Sequence, residues 1–169
     1  LLGGNIELLR ENSIFYKFDS LYSVYLFAIN GKVIASFELE DSLKEDAVDF
    51  VNYLKEQNLE VIMLTGDNEQ VASKIANLVG IKRYESNVNP IEKANYINKL
   101  KEQGETVIMA GDGVNDAIAL SNANVGVSMG SGSDISISVS DIVLLDNSLK
   151  SLKEAFVISK RTYKFIKQN

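Results

Sequence analysis

The chain contains no cysteine, no histidine and no tryptophan, and only one proline, Pro90. Without cysteine there are no disulfides, thiolate metal sites or thiol nucleophiles. Without histidine there is no serine–histidine relay and no imidazole-bound zinc. Long apolar runs are missing too: the longest, Val24 to Ile29, falls far short of the roughly 20 residues a membrane helix needs, and no secretory leader pattern is present. The chemistry left over belongs to carboxylates, lysines, hydroxyls and backbone amides. That inventory suits hard, oxygen-seeking cations and phosphate.

What is present describes a folded domain. Of 169 residues, 46% are hydrophobic and 24% charged, a globular balance with enough chain for a real core. The net charge of −6 is unevenly spread. Residues 150–169 carry six Lys/Arg against Glu154, so this tail is +5 and the other 149 residues are −11. An acidic body disfavours nucleic acid as a partner, because such binding rests on neutralising phosphates. The first residue is Leu1 rather than Met, so the chain is expected to be a piece of a longer protein.

Periodicity changes along the chain. Val24–Ile29 and Val33–Glu38 flank Asn30-Gly31 and predict a hairpin. From Asp41 a helical spacing follows, with Leu43, Ala47, Phe50, Val51 and Leu54 on one face and Asp41 or Ser42 as its cap. Val61–Leu64 reads as a buried strand, then a helix through Val71, Ala72, Ile75, Ala76 and Val79 ending at Gly80, then a helix opened by Asn89-Pro90. Thr106–Ala110 is the next strand, with further strands near 124–128 and 141–145, a short helical segment after Ser131, and a last helix from about Ser148. Strands alternating with helices predict an α/β fold, a Rossmann-like parallel sheet flanked by helices. The antiparallel hairpin before Asp41 looks like a different unit. In such sheets ligands bind at the carboxyl ends of the strands.

Three polar or glycine-rich clusters fall at those ends. Gly111-Asp112-Gly113-Val114-Asn115-Asp116 sets two carboxylates four residues apart just past a buried strand. They can converge on one Mg²⁺ whose other positions are left to water and phosphate; the plain alternative is a polar turn with Asp116 as an N-cap. Leu64-Thr65-Gly66-Asp67-Asn68 offers a hydroxyl, free backbone N–H groups and a helix N-terminus, the parts of a phosphate cradle or of a simple capping turn. Lys93, one turn into the Pro90 helix, can act as a point charge on a phosphoryl oxygen or merely sit in solvent. Their order and placement in one α/β pattern favour the chemical reading of all three.

With those residues in view, the sequence closely resembles the phosphorylation domain of P-type cation-transporting ATPases, in the haloacid-dehalogenase-like superfamily. The resemblance covers about residues 24–169. It rests on Leu64-Thr-Gly-Asp67, Pro90-x-x-Lys93, Gly111-Asp-Gly-Val-Asn-Asp-Ala-Ile-Ala-Leu120, Met129-Gly-Ser-Gly132, Val139-Ser-Asp-Ile-Val-Leu-Leu145 and Ser159-Lys-Arg-Thr to Asn169. The last run looks like the stretch entering a membrane helix in the heavy-metal branch, which gives the basic tail a reason. Gly3-Gly4-Asn5 resembles the last stretch of the adjoining nucleotide-binding domain.

The resemblance implies a domain plan: residues 1–38 closing the nucleotide-binding domain and hinge, 39–150 the phosphorylation core, and 151–169 a basic helix leading to a membrane helix. It implies Mg²⁺ at Asp112, supported by Asp116; phosphoryl oxygens held by Thr65 and Gly66 and neutralised by Lys93; Asp67 near nucleotide or lysine; Asn115 ordering the Asp112 loop; and Asp41 at the hinge toward nucleotide. ATP is the implied substrate, with heavy-metal cation transport, copper before zinc, in a cytoplasmic-facing domain of an integral plasma- or inner-membrane protein. Ile118 stands where the family usually has proline. The DKTGT segment with the phosphorylated aspartate is absent. Asp19 has an apolar lead-in but lacks the lysine, threonine and glycine that should follow it. The piece alone is therefore expected to be inactive, with a central strand missing between those ending at Leu64 and Ala110. A soluble phosphatase of the same superfamily and a non-catalytic Mg²⁺-binding module are the alternatives.

Overall fold

The computed structural model describes residues 1–17, 23–39, 43–111, 114–130, 134–146 and 148–168. Asp19, Asp41, Ser42 and Asp112, to which expectations were attached, lie outside them. The chain divides into two compact units, Leu1–Leu43 and Lys44–Asn169.

The first unit is a three-stranded antiparallel sheet and one short helix. Strand β1 (Leu2–Gly4) leads into α1 (Ile6–Glu11), and β2 (Ser23–Ile29) and β3 (Lys32–Leu39) form the hairpin. β2 lies between the other two. Asn30 and Gly31 take φ of 49° and 76°, the double positive φ that a tight right-twisted hairpin demands and that Asn-Gly tolerates best. Leu9, Leu26 and Ala28 form its core.

In the second unit, α2 (Ala47–Glu56), β4 (Ile62–Leu64), α3 (Glu69–Val79), β5 (Arg83–Glu85), α4 (Pro90–Glu102), β6 (Ile108–Gly111), a 3₁₀ turn (Val114–Asp116), α5 (Ala117–Asn122), β7 (Val125–Ser128), α6 (Asp134–Ser138), β8 (Ile142–Val143) and α7 (Leu149–Gln168) follow in order. Local chemistry explains the clearest ends. Asn68 caps α3 by accepting from Val71 N–H, and Gly80 closes it in the left-handed region at φ 75°. Asn89 and Glu92 make a reciprocal capping box on α4 (3.0 and 2.8 Å), with Pro90 where no N–H is needed.

The start of α2 differs from expectation. It begins at Ala47 with Asp46 at the cap position, and Leu43 lies before it, exposed. Asp46 makes no side-chain bond to its own helix. Its carboxylate instead accepts from Ser148 Oγ (3.0 Å) and Lys150 N (2.9 Å), so it caps α7 across the fold.

Every strand pairing in this unit is parallel, as expected, but the sheet is divided. β4 pairs with β5, and β6, β7 and β8 form a separate sheet with β7 in the middle. Among the described residues no strand pairs with the outer edge of β4 or of β6. The two sheets meet through one apolar cluster: Ile97 and Leu100 of α4 with Val107 and Ala119, flanked by Ile62, Leu64 and Met109. A second cluster joins Phe50, Val127, Met129, Leu144 and Leu152, fixing α2 and the first turns of α7 to the β6–β8 sheet.

Candidate functional site

Thr65, Gly66 and Asp67 follow directly on β4, and Gly111 ends β6, so both loops stand at carboxyl ends of parallel strands. The loop after β4 is pinned by the loop after β5: Thr65 N–H donates to Glu85 O (3.0 Å), Val88 N–H to Thr65 O (2.9 Å) and Asn87 N–H to Asp67 O (2.7 Å). Within it the half-buried Thr65 donates its hydroxyl to Asp67 Oδ2 (2.7 Å) and accepts from Asp67 N–H (3.1 Å). Gly66 is exposed, and a Cβ there would come no nearer than 3.8 Å to Val88 O. Packing does not require a glycine at 66.

The second cluster is more tightly built. Lys93 Nζ lies 2.8 Å from Asp116 Oδ1, and the two side chains are 13% and 12% exposed. The contact joins the first turn of α4 to the loop after β6. Asp116 occupies the cap position of α5 but makes no capping hydrogen bond. Its carboxylate serves Lys93 instead, so the simple capping alternative fails. Gly111 makes room for this: a Cβ there would sit 2.7 Å from both Cβ and Oδ2 of Asp116. Here the glycine is obligatory.

Lys93 and Asp116 are thus brought together, as are Thr65 and Asp67. Asn115 lies exposed in the 3₁₀ turn before α5. The donor set is oxygen only, with no thiolate or imidazole anywhere in the chain, and it fits a hard divalent cation. Among the described residues no group of three acidic side chains gathers as a ready-made metal cage. A Mg²⁺ site held by one or two carboxylates and completed by water and phosphate needs no such cage.

Sequence reasoning missed Asp46. Burial pushes its carboxyl up, but the bonds from Lys150 N–H and Ser148 hydroxyl outweigh this and hold it below its ordinary value. Its partners lie 102 and 104 residues away, and no local pattern signals them. Glu69, at the first turn of α3, is held low by hydroxyls of Ser86 and Tyr84, each at 2.7 Å, which ties α3 to β5 and the loop after it.

The chain has clear relatives among known proteins. The chain is 35% identical to a copper-exporting P-type ATPase of Legionella pneumophila over 98% of its own length and 24% of that protein. It is 41% identical to the chloroplastic copper-transporting ATPase PAA1 of Arabidopsis thaliana over 99% of its length and 17% of that protein. It therefore spans no more than about a quarter of these curated relatives. Among solved structures, a zinc-transporting PIB-type ATPase superposes with a TM-score of 0.75 at 32% identity, covering 87% of this chain and 24% of that one. A family model described as haloacid dehalogenase-like hydrolase matches residues 1–124. With parallel strands, acidic and hydroxyl loops at their carboxyl ends and a family match across most of its length, the chain belongs to the haloacid dehalogenase-like hydrolases.

Proposed function

We propose that this chain is the phosphate- and Mg²⁺-handling part of a P-type ATPase that couples ATP hydrolysis, through an aspartyl-phosphate, to transport of a heavy-metal cation. The observation that carries the proposal is the Lys93–Asp116 pair, nearly buried beside the obligatory Gly111. A fold needs no such pair for stability, since a hydrophobic pair of similar volume commonly serves as well or better.

In this reading Thr65 gives its hydroxyl, and the Gly66 region its backbone N–H, to phosphoryl oxygens. Thr65 must first release Asp67, whose carboxylate holds that proton in the structure. Lys93 presents its ammonium to the transferred group, and Asp116 fixes where that ammonium stands. Asp112 and Asp116 would hold Mg²⁺, which when bound neutralises charge on the phosphoryl oxygens. Asn115 would order the Asp112 loop, and Asp41 would mark the hinge toward the nucleotide. The domain limits proposed are 1–38, 39–150 and 151–169. The cargo proposed is copper, from the names of the relatives, with the domain facing the cytoplasm and the membrane reached through flanking helices.

Nucleophilic catalysis needs the aspartate of a DKTGT segment, and this sequence has none. The divided sheet supports the same view. Among the described residues β4 and β6 each end their own sheet, and both pack on α4, with no strand between them. We assign the place between them to the strand that carries the nucleophile.

The test uses the longer protein that contains this chain. Metal-stimulated, acid-stable and hydroxylamine-sensitive phosphoenzyme should form from ATP and Mg²⁺, and fall at least about a hundredfold in Lys93→Met and in Asp112→Asn. Wild-type phosphorylation in either variant would refute the site. Phosphoenzyme formed on the 169-residue chain alone would refute the missing nucleophile.

A further inference from the structure

Residues 84–93 are one short run of chain, and the hydroxyl and ammonium ends of the proposed phosphate site are both fastened to it. Asn87 N–H donates to Asp67 O at 2.7 Å, and Val88 N–H to Thr65 O at 2.9 Å. Asn89 caps α4, whose first turn carries Lys93, and Lys93 meets Asp116 at 2.8 Å. Where this run stands therefore sets the spacing between the Thr65 hydroxyl and the Lys93 ammonium.

Regular structure does not hold the middle of the run. β5 ends at Glu85 and α4 begins at Pro90. Between them Asn87 takes φ of 53°, a left-handed value that asparagine tolerates without preferring. The hold comes from another element. Glu69, in the first turn of α3, accepts from the Tyr84 hydroxyl on Oε1 and from the Ser86 hydroxyl on Oε2, each at 2.7 Å. Ser86 Oγ accepts in turn from Asn87 Nδ2 at 3.3 Å. Tyr84 and Ser86 are half-buried, whereas Glu69 is exposed.

Hydroxyl bonds to an ionised carboxylate are of the stronger kind. One carboxylate engaging two points of the run fixes its orientation as well as its position. Helix α3 itself does not need this arrangement. An acidic residue in its first turn suits the helix dipole whichever way the side chain points, and Asn68 already caps the helix through Val71 N–H. We infer that Glu69 is a positioning residue for the phosphate site: through Ser86 it sets the Asn87–Val88 turn, and so the loop that presents Thr65 and Gly66 to phosphoryl oxygens. The inference rests on the ATPase reading and adds to it a residue on a helix that the reading does not use.

Glu69→Ala removes both acceptors at an exposed position, so the fold should survive. In the 169-residue chain, amide hydrogen exchange at Asn87 and Val88 should quicken at least about tenfold, while the Ile97 and Leu100 amides of α4 keep their rates. In the longer protein, the single-turnover rate constant for phosphoenzyme formation at saturating ATP should fall about tenfold, less than the roughly hundredfold cost of a displacement of about 1 Å. KM for ATP should stay within about twofold. That rate constant does not depend on how much enzyme is folded, so a mere loss of stability would not move it. The inorganic phosphate concentration that half-saturates the site should rise about tenfold as well. Glu69→Gln keeps one acceptor oxygen and should fall between E69A and the wild type. Ser86→Ala should reproduce most of the E69A effect, and E69A/S86A should be no slower than E69A alone. Unchanged exchange at 87 and 88, an unchanged rate constant, or effects that multiply in the double variant would overturn the inference and leave the ATPase reading standing. Absence of any phosphoenzyme in the wild-type longer protein would overturn both.

Discussion

Removing the lysine of the Lys93–Asp116 pair is the sharpest physical test of the site. Both side chains are about seven-eighths withdrawn from water and meet at 2.8 Å, so Lys93→Met strands a carboxylate against the backbone of Gly111. Breaking a buried pair in this way costs about 3 kcal/mol, the low end of the range because a little solvent still reaches both groups. Asp116→Asn costs less, about 2 kcal/mol, since the amide oxygen still accepts from Lys93. The double variant should not cost the sum. With neither charge present it should fall near 3 kcal/mol, a coupling of about 2 kcal/mol. For a chain of this size that places Lys93→Met about 6–12 °C below the wild type in Tm. Far-UV circular dichroism during urea unfolding reports the relevant unit, because α2 to α7 all lie in residues 44–169. Additive costs within about 0.5 kcal/mol would show that the two charges are screened from each other, and the argument from burial would fail.

Gly66→Ala should leave stability within about 0.5 kcal/mol, because its Cβ meets only an ordinary contact with Val88 O at 3.8 Å, yet remove phosphoenzyme formation in the longer protein; unaltered phosphorylation would show that the backbone at 66 touches no ligand. Gly126→Ala should cost several kcal/mol, about 3, since the new Cβ would lie 2.7 Å from the Leu120 carbonyl oxygen, which is backbone and cannot swing aside; a thermal melt with an unchanged midpoint would contradict that packing. Acid should also probe the capping of α7. Asp46 and Glu69 are held below their ordinary values in the fold, so the unfolded chain takes up protons first. Their stabilisation is complete only above about pH 5, clear of the unfolded values, and is lost as pH falls through the lower folded values. Melts below about pH 5 should be flatter in D46N/E69Q than in the wild type, and identical slopes would remove these two carboxylates from the acid response.

Much of the fold was legible because its signals are local. The hairpin announced itself through Asn30-Gly31, α3 through Asn68 and Gly80, and α4 through the Asn89–Glu92 box. β5 was not, since Arg83–Glu85 is polar, three residues long, and made a strand only by its pairing with β4. β8 is likewise shorter than its apolar run, reduced to Ile142–Val143. The helix expected to include Leu43 begins only at Ala47, with Asp46 at the cap position and its carboxylate bonded to α7 instead; the expected caps Asp41 and Ser42 lie outside the described residues. For the site, the residues could be named from their order along the chain, but the bond between Lys93 and Asp116 could not. Twenty-three residues separate them, and only the turn of α4 over β6 makes them neighbours. The division of the sheet was equally hidden: sequence left open whether the gap would close up, be filled by another segment or be filled by a second chain.

The division has a mechanical side. Among the described residues no backbone hydrogen bond links the β4–β5 pair to the β6–β8 sheet, so the backbone ladder does not set the spacing between the loop at Thr65 and the loop at Asp116. The common reference is α4, whose Ile97 and Leu100 grip both halves and whose first turn carries Lys93. The helix works like a jig, holding two parts in alignment while it also bears one of the tools. Wear in the jig would therefore appear as misalignment before it appeared as collapse: a trimmed side chain at Ile97 would leave every catalytic group in the chain intact and spoil the gap they share.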